Sequence, residues 1–284
     1  MHWQTTRFSI DLARPRIMGI VNVTPDSFSD GGRYAGSALA LARCEQLIAD
    51  GADILDIGGE SSRPGSPPVP LDEELARVLP VLREAVKLGI AISADTYKPD
   101  TMKAALDAGV DIVNDIWALR QPGALDAVAA HPNCGVCLMH MHGEPQTMHR
   151  SPMEGGAVPR VRSFLRERSD ALLAAGVDRS RIAWDAGIGF GKAVQQNFAL
   201  LARQHELLAD GYPLLAAWSR KSSLGAVTGL PVEDRLPPSL AAALLAVERG
   251  ARVVRVHDVK ETAAVLKVWV AATIFSEHEA GSPP

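Results

Sequence analysis

The sequence predicts an α/β chain of the (β/α)8, or TIM-barrel, class, preceded by a short N-terminal strand or hairpin. Three observations lead there. A short apolar strand, a polar loop and an amphipathic helix recur eight times along the chain. Glycines stand where those helices must stop, at Gly51, Gly89, Gly109, Gly176 and Gly250, as helix C-caps require. The strands end in polar residues, where barrels of this class keep their chemistry. A doubly wound sheet would use the same units, but no GxGxxG follows the first strand.

The elements follow in order. Residues 8–12 alternate and read as a small strand ahead of the main fold. Strand one covers 17–23, with its helix over 37–49. Strand two covers 53–57, with a helix over 72–87, and strand three 91–94, with a helix over 99–108. Strand four spans 111–116, with a short helix near 123–130. Strand five spans 136–141, with a long helix around 161–175, and strand six 182–188, with a helix near 197–208. Strand seven, 213–218, leads into helical segments over 221–227 and 237–249. Strand eight, 252–257, leads into a last helix over 260–275. The strands are short and mostly apolar, as strands covered on both faces must be. No shift in composition marks a linker, so 1–276 reads as one domain and 277–284 as a disordered tail.

Composition narrows the function classes. The 284 residues are 47% hydrophobic and 22% charged, with a formal net charge of −4. That is a globular profile without the basic excess of a nucleic-acid or anionic-membrane binder, so any anion site should be local. The N-terminus shows no basic stretch leading into an apolar core, and no apolar run approaches the ~20 residues of a membrane span. Three cysteines are too few for a disulfide framework and suit a reducing, cytoplasmic setting. Cys134 and Cys137 form a CxxC that leads into strand five without a second ligand pair, so it reads as packing.

The chemistry-bearing stretch is 53–65, DILDIGGESSRPG. An apolar strand breaks at Gly58-Gly59 and presents Glu60, Ser61, Ser62 and Arg63 before Pro64-Gly65. Glycines let backbone N–H groups approach a ligand, and a guanidinium binds phosphate bidentately. Other strand ends repeat the design. Asn22 follows strand one, Asp95 follows strand three, and Asn114 and Asp115 lie in strand four. His140 and His142 end strand five, Asp185 lies in strand six, and Ser219, Arg220 and Lys221 follow strand seven. Arg255 and His257 leave strand eight on one face, by its period of two. Asp95, Asn114 and Asp185 suit a flat heterocycle with an amide and an amino-pyrimidine edge. Lys221 can donate to a ring oxygen or nitrogen, and Met139 and Phe190 can sandwich the ring, although either alone reads first as core packing. Arg63, Arg255 and His257 suit a diphosphate, while Asn22 and Asp30 are oxygen ligands for Mg2+. Ser222 opens a helix whose N-terminus, with Lys221, would hold a carboxylate. Asp56 reads as a structural charge inside the barrel, Asp115 as a supporting residue, and the two histidines as structural or rim groups. Loops 24–36 and 60–70 are rich in Gly, Pro and Ser and long enough to close over a substrate.

Residues 20–32, IVNVTPDSFSDGG, and 56–65, DIGGESSRPG, resemble the two signatures of the dihydropteroate synthase family. The resemblance runs on through 93–96, 113–115, 139–141, 185–192, 219–222 and 255–259, nearly the whole chain in order. It implies a single pterin-binding barrel and a Mg-assisted, SN1-like condensation of 6-hydroxymethyl-7,8-dihydropterin diphosphate with 4-aminobenzoate. It further implies that Asp95, Asn114, Asp185 and Lys221 bind the pterin beside Met139 and Phe190. Ser62, Arg63, Arg255 and His257 would meet the diphosphate. Phe28, Pro64, Ser219 and Ser222 would shape the aminobenzoate pocket, and Asn22, joined by Asp30, would bind Mg2+. Asp95, Asp185, Lys221, Arg63 and Arg255 would carry the chemistry. A cytoplasmic homodimer is implied as well, with neither nucleic acid nor membrane as partner. Two departures stand out: Ser62 replaces a common threonine, and Ala217-Trp218 is expected to narrow the floor of the pterin pocket. A corrinoid-dependent methyltransferase domain or a non-catalytic pterin-binding paralogue would share the clamp. The first should lack the diphosphate set, and the second should have lost Asn22, Arg63, Lys221 or Arg255; all are present.

Overall fold

A computed structural model describes residues 1–24, 32–61, 66–148 and 151–280, with backbone alone for 32–35 and 274–280. A hairpin comes first, β1 (His2–Gln4) paired antiparallel with β2 (Ser9–Asp11). Eight parallel strands follow: β3 (Arg16–Asn22), β4 (Ile54–Gly58), β5 (Ala91–Asp95), β6 (Ile112–Asp115), β7 (Gly135–Met139), β8 (Ile182–Asp185), β9 (Leu214–Ala216) and β10 (Val253–Val256). They close into a barrel in the order β10-β3-β4-β5-β6-β7-β8-β9, which excludes the doubly wound alternative. The outer helices are α1 (Gly32–Ala49), α2 (Leu71–Ala85), α3 (Pro99–Asp107), α4 (Ala124–Ala129), α5 (Ala157–Ala174), α6 (Val194–Ala202), α7 (His205–Leu208), α8 (Ser222–Thr228), α9 (Leu236–Glu248) and α10 (Val259–Ala280). Among the described residues no helix is long and apolar enough to cross a membrane.

The period of two sorts every strand. Leu55 and Ile57, Ile92 and Ala94, Val113, Leu138, Trp184, Val254 and Val256 face the helices and pack between sheet and helix layer. Ile54, Ala91, Ile112, Cys137, Ala183, Leu215 and Val253 point into the barrel, where they meet Trp3 and Leu12 of the hairpin segment. Trp3 is fully buried there, and its indole N–H donates to the Arg181 carbonyl at 2.9 Å. The hairpin thus closes the N-terminal end of the barrel, and the opposite end is left for polar side chains.

Several boundaries differ from the sequence reading. Helix α1 begins at Gly32 rather than at 37. The single helix read near 197–208 is two, because the chain turns at Arg203 (φ −107°, ψ 26°). There the side chain of Gln204 donates to the Ala246 and Arg249 carbonyls at 2.8 and 3.0 Å, satisfying the end of α9. The last helix continues to Ala280, through part of the segment read as a tail. The five capping glycines do sit at positive φ, from 74° at Gly89 to 106° at Gly51. All three cysteines are buried thiols, and burial raises the pKa of Cys134 and Cys137. Trp218 belongs to the helix-facing layer, its ring 5.3 Å from that of Phe198, so it does not narrow the pocket; its neighbour Ala217 faces the interior.

Candidate active site

Two residues beyond five of these interior apolar side chains, the same strands present a functional one. Ile54 leads to Asp56, Ile112 to Asn114, Cys137 to Met139, Ala183 to Asp185, and Val253 to Arg255 and then His257. Register sets Asp95 beside Asn114 and Met139 beside Asp185, while Gly58 pairs with Asp95 and Asn114 with Cys137, one inward step below Met139.

Arg255 organises one side of this layer. Its Nε donates to Asp56 Oδ2 at 2.6 Å and its Nη2 to Asp95 Oδ2 at 2.5 Å. Asn114 Nδ2 donates to the same Asp56 oxygen at 3.1 Å. Burial works against the guanidinium charge, but Asp56 and Asp95 more than offset it and hold its pKa above the ordinary arginine value. Burial also pushes Asp95 up to about 7; Arg255 pulls it down, while Asp56, Glu74 and Asp115 oppose that pull. Across the barrel, Asp185 is buried, which raises its pKa. The Gly187 N–H, at 2.7 Å from its Oδ1, works the other way, as do Lys221, Arg255 and Lys192. Lys221 stands 4.5 Å above the Phe190 ring centroid, and burial lowers it to about 8 although Asp185 favours its charge.

Met139 and Phe190 belong to an apolar cluster with Ile116, Met141 and Met148, flanked by Tyr97 and Trp117. This gives the polar layer an apolar wall of the kind a flat ring needs. Ser219 Oγ and His257 Nδ1 are 2.9 Å apart, and the His257 N–H meets the same hydroxyl at 3.2 Å. Arg220, between Ser219 and Lys221, takes φ 60°, an uncommon conformation for a residue with a side chain. Its guanidinium clasps Asp258 at 3.1 and 2.5 Å, and its N–H bonds Ser239 Oγ at 2.9 Å. Ser222 is exposed at the first turn of α8. Asn22 ends β3 opposite Gly58, half-buried, its amide oxygen unengaged by any described residue.

The structure therefore brings Asp95, Asn114, Met139, Asp185, Phe190, Lys221 and Arg255 to one end of the barrel, with Asn22, Ser219, Ser222 and His257 at its strand ends. Phe28, Asp30, Ser62, Arg63 and Pro64 lie outside the described residues. Glu60 anchors the flanks of 62–65: it accepts from Tyr97 Oη at 2.9 Å, from Val69 N at 3.2 Å and from Lys98, whose ammonium also reaches Glu74 at 2.6 Å. Asp56 lies inside the barrel, as its strand predicts, but the convergence of Arg255 and Asn114 on it is visible only in the structure, as is the role of Lys192. The signal for Asp56 was present: it shares the inward phase of its strand with Ile54. His140 is buried with its ring edge-on to Phe164 at 5.0 Å, and burial with Lys192 nearby pushes it down to about 2.

The chain is similar to known proteins over nearly its whole length. A family model described as "Pterin binding enzyme" matches residues 18–257. The dihydropteroate synthase of Neisseria meningitidis serogroup B is 51% identical over 278 residues, covering 96% of this chain and 98% of that protein. The Burkholderia cenocepacia dihydropteroate synthase, solved with 7,8-dihydropteroate, shares 52% identity at a TM-score of 0.89 and covers 98% of both chains. The Xanthomonas albilineans dihydropteroate synthase, solved with 4-aminobenzoic acid, shares 46% identity at a TM-score of 0.89, over 96% of this chain and 99% of that one. Identity of this order, sustained from one end of the barrel to the other, makes the chain a member of the dihydropteroate synthase family.

Proposed function

We infer that this chain carries out its family's reaction, joining 6-hydroxymethyl-7,8-dihydropterin diphosphate to 4-aminobenzoate to give 7,8-dihydropteroate and diphosphate in folate biosynthesis. The observation that carries the reading is the layer of Asp95, Asn114, Asp185 and Arg255 beside Met139, Phe190 and Lys221. It offers acceptors and donors to a pterin edge and an apolar wall to its face.

Asp185 and Asn114 orient the ring through hydrogen bonds, and Lys221 donates to it. As the C–O bond of the exocyclic methylene breaks, its electron pair leaves with diphosphate and the ring shares the positive charge. Asp95 and Asp185, aimed at the ring, favour that cation. Arg255 Nη1, free of both carboxylates, is available to the leaving group, and Arg63, Ser62 and His257 complete the anion set as the resemblance implies. The amine nitrogen of 4-aminobenzoate then forms the new C–N bond and loses a proton. Ser219, Ser222, Phe28 and Pro64 shape its site.

Among the described residues no group of His, Cys, Asp and Glu is arranged to hold a metal. The unengaged Asn22 oxygen fits Mg2+, which binds through few protein ligands together with substrate phosphates and water. Asn22 would hold the ion, with Asp30, and the bound ion would offset the charge of the diphosphate. The reading includes a cytoplasmic homodimer, supported by Leu245 of α9 and Val268 of α10, exposed at 43% and 71%; light scattering tests it.

The deciding experiment is diphosphate release with Mg2+ and the dihydropterin diphosphate, with and without 4-aminobenzoate. Release that requires aminobenzoate, with dihydropteroate appearing in step, is expected. Lys221→Ala should lower kcat/KM by about 100-fold. Pterin binding without turnover would make the chain a binding paralogue instead.

A further inference from the structure

Lys192 ends the loop that follows β8, and only 8% of it is exposed. Its ammonium donates to three backbone carbonyls: Gly187 at 2.8 Å, His140 at 3.0 Å and Phe190 at 3.2 Å. Three N–H donors meet three acceptors, so none remains for a ligand. The acceptors come from two segments. His140 follows β7; Gly187 and Phe190 follow β8. The segments lie so close that a Cβ on Gly187 would sit 1.9 Å from the His140 oxygen, and one on Gly191 2.1 Å from the His142 oxygen. Asn197 of α6 secures the other side. Its Oδ1 accepts from Gly189 N at 2.9 Å, and its Nδ2 donates to Ser223 Oγ at 2.9 Å and to the Lys192 carbonyl at 3.3 Å.

The site residues rest on this bed. Asp185 takes the Gly187 N–H, Phe190 lies in the loop, and the Lys221 stem passes within 3.5 Å of where a Gly189 Cβ would be. We propose that Lys192 is a positioning residue of the pterin pocket: touching no substrate, its ammonium pins the β7 and β8 loops together and so sets Asp185, Phe190 and Lys221. The charge also acts at a distance. Burial lowers Lys192 to about 7, Asp185 favours its charge and Lys221 opposes it, while His140 beside it stays neutral. Lys192 in turn joins Lys221 and Arg255 in opposing the burial that raises Asp185.

The inference rests on the function proposed above, and the unmodified enzyme separates the two: if it makes no dihydropteroate, the function fails first. Lys192→Met keeps the stem and removes the ammonium, leaving three carbonyls short of a donor. Its KM for the dihydropterin diphosphate should rise about tenfold, as expected for lost charged hydrogen bonds. The KM for 4-aminobenzoate should change by less than about twofold, and the acid limb of kcat/KM should move to higher pH as Asp185 loses support. Lys192→Arg keeps the charge, so its acid limb should stay in place while its pterin KM rises. Equal losses for both substrates with an unmoved acid limb would overturn the proposal, as would wild-type values in Lys192→Met. Circular dichroism and thermal unfolding accompany both variants. If Lys192→Met does not fold, Lys192→Arg decides: a raised pterin KM with an unmoved limb supports the proposal, and wild-type kinetics sink it.

Discussion

Asp56 has no exposed surface, yet it accepts from a guanidinium and an amide at once. Losing one partner of a buried pair costs far more than the pair contributes, because the other charge stays desolvated. Asp56→Asn should therefore lower stability by about 2–4 kcal/mol and kcat/KM by at least about tenfold, with Arg255 no longer held between two carboxylates. Urea unfolding and steady-state kinetics on the same preparation check this; an unchanged kcat/KM would remove Asp56 from the site. Protonation gives a second test. Asp95, raised to about 7, and Asp185, raised by burial, must be ionised to accept pterin N–H groups, so activity should fall as pH drops below about 7. Lys192, lowered to about 7, and Lys221, lowered to about 8, must be charged to donate fully, so activity should fall again as pH rises through about 7 to 8. A flat kcat/KM for the pterin substrate between pH 6 and 9, taken as about one unit either side of those values, contradicts this assignment.

At the scale of elements, the turn after β6 shows how the site is kept rigid. Ala118 and Leu119 both have positive φ, 51° and 58°, and both are buried. Such backbone costs on the order of 1 kcal/mol per residue or more, and persists only where neighbours enforce it. Asp115 does so: its carboxylate accepts the N–H of Trp117 at 2.8 Å and of Leu119 at 2.7 Å. Arg168 of α5 completes the bracket by donating to the Ala118 and Leu119 carbonyls at 2.8 and 3.1 Å. Asp115→Ala leaves one buried and one partly buried N–H group unpaired and should cost about 2–4 kcal/mol, with weaker pterin binding through the adjoining Asn114. Denaturant midpoints and pterin titration read both effects. The sequence marked Asp115 as a supporting residue, but it held no sign of Arg168, which lies in a helix three elements further along the chain. The split at Arg203 escaped for a similar reason: helix propensity continues there, and only the neighbouring end of α9 gives Gln204 a better use.

For the whole molecule, one end of the barrel is a plug and the other is a site. Trp3 fills the first end, so Trp3→Ala should lower stability by about 3–5 kcal/mol while leaving kcat/KM per folded molecule unchanged. A loss of kcat/KM in the folded fraction would show that the two ends are coupled. The sequence by itself determined the eight-fold unit, the capping glycines, and which strand-end residues face inward, because each follows from local periodicity and backbone preference. It also determined the family, through two signatures whose spacing is read in one dimension. Only the tertiary structure decided that Arg255 lies between Asp56 and Asp95, that Lys192 is spent on three carbonyls, and that Trp218 turns outward. Those outcomes depend on which strands become neighbours when the barrel closes and which loops then meet. They join residues as far apart as 56 and 255, a pairing no local pattern encodes.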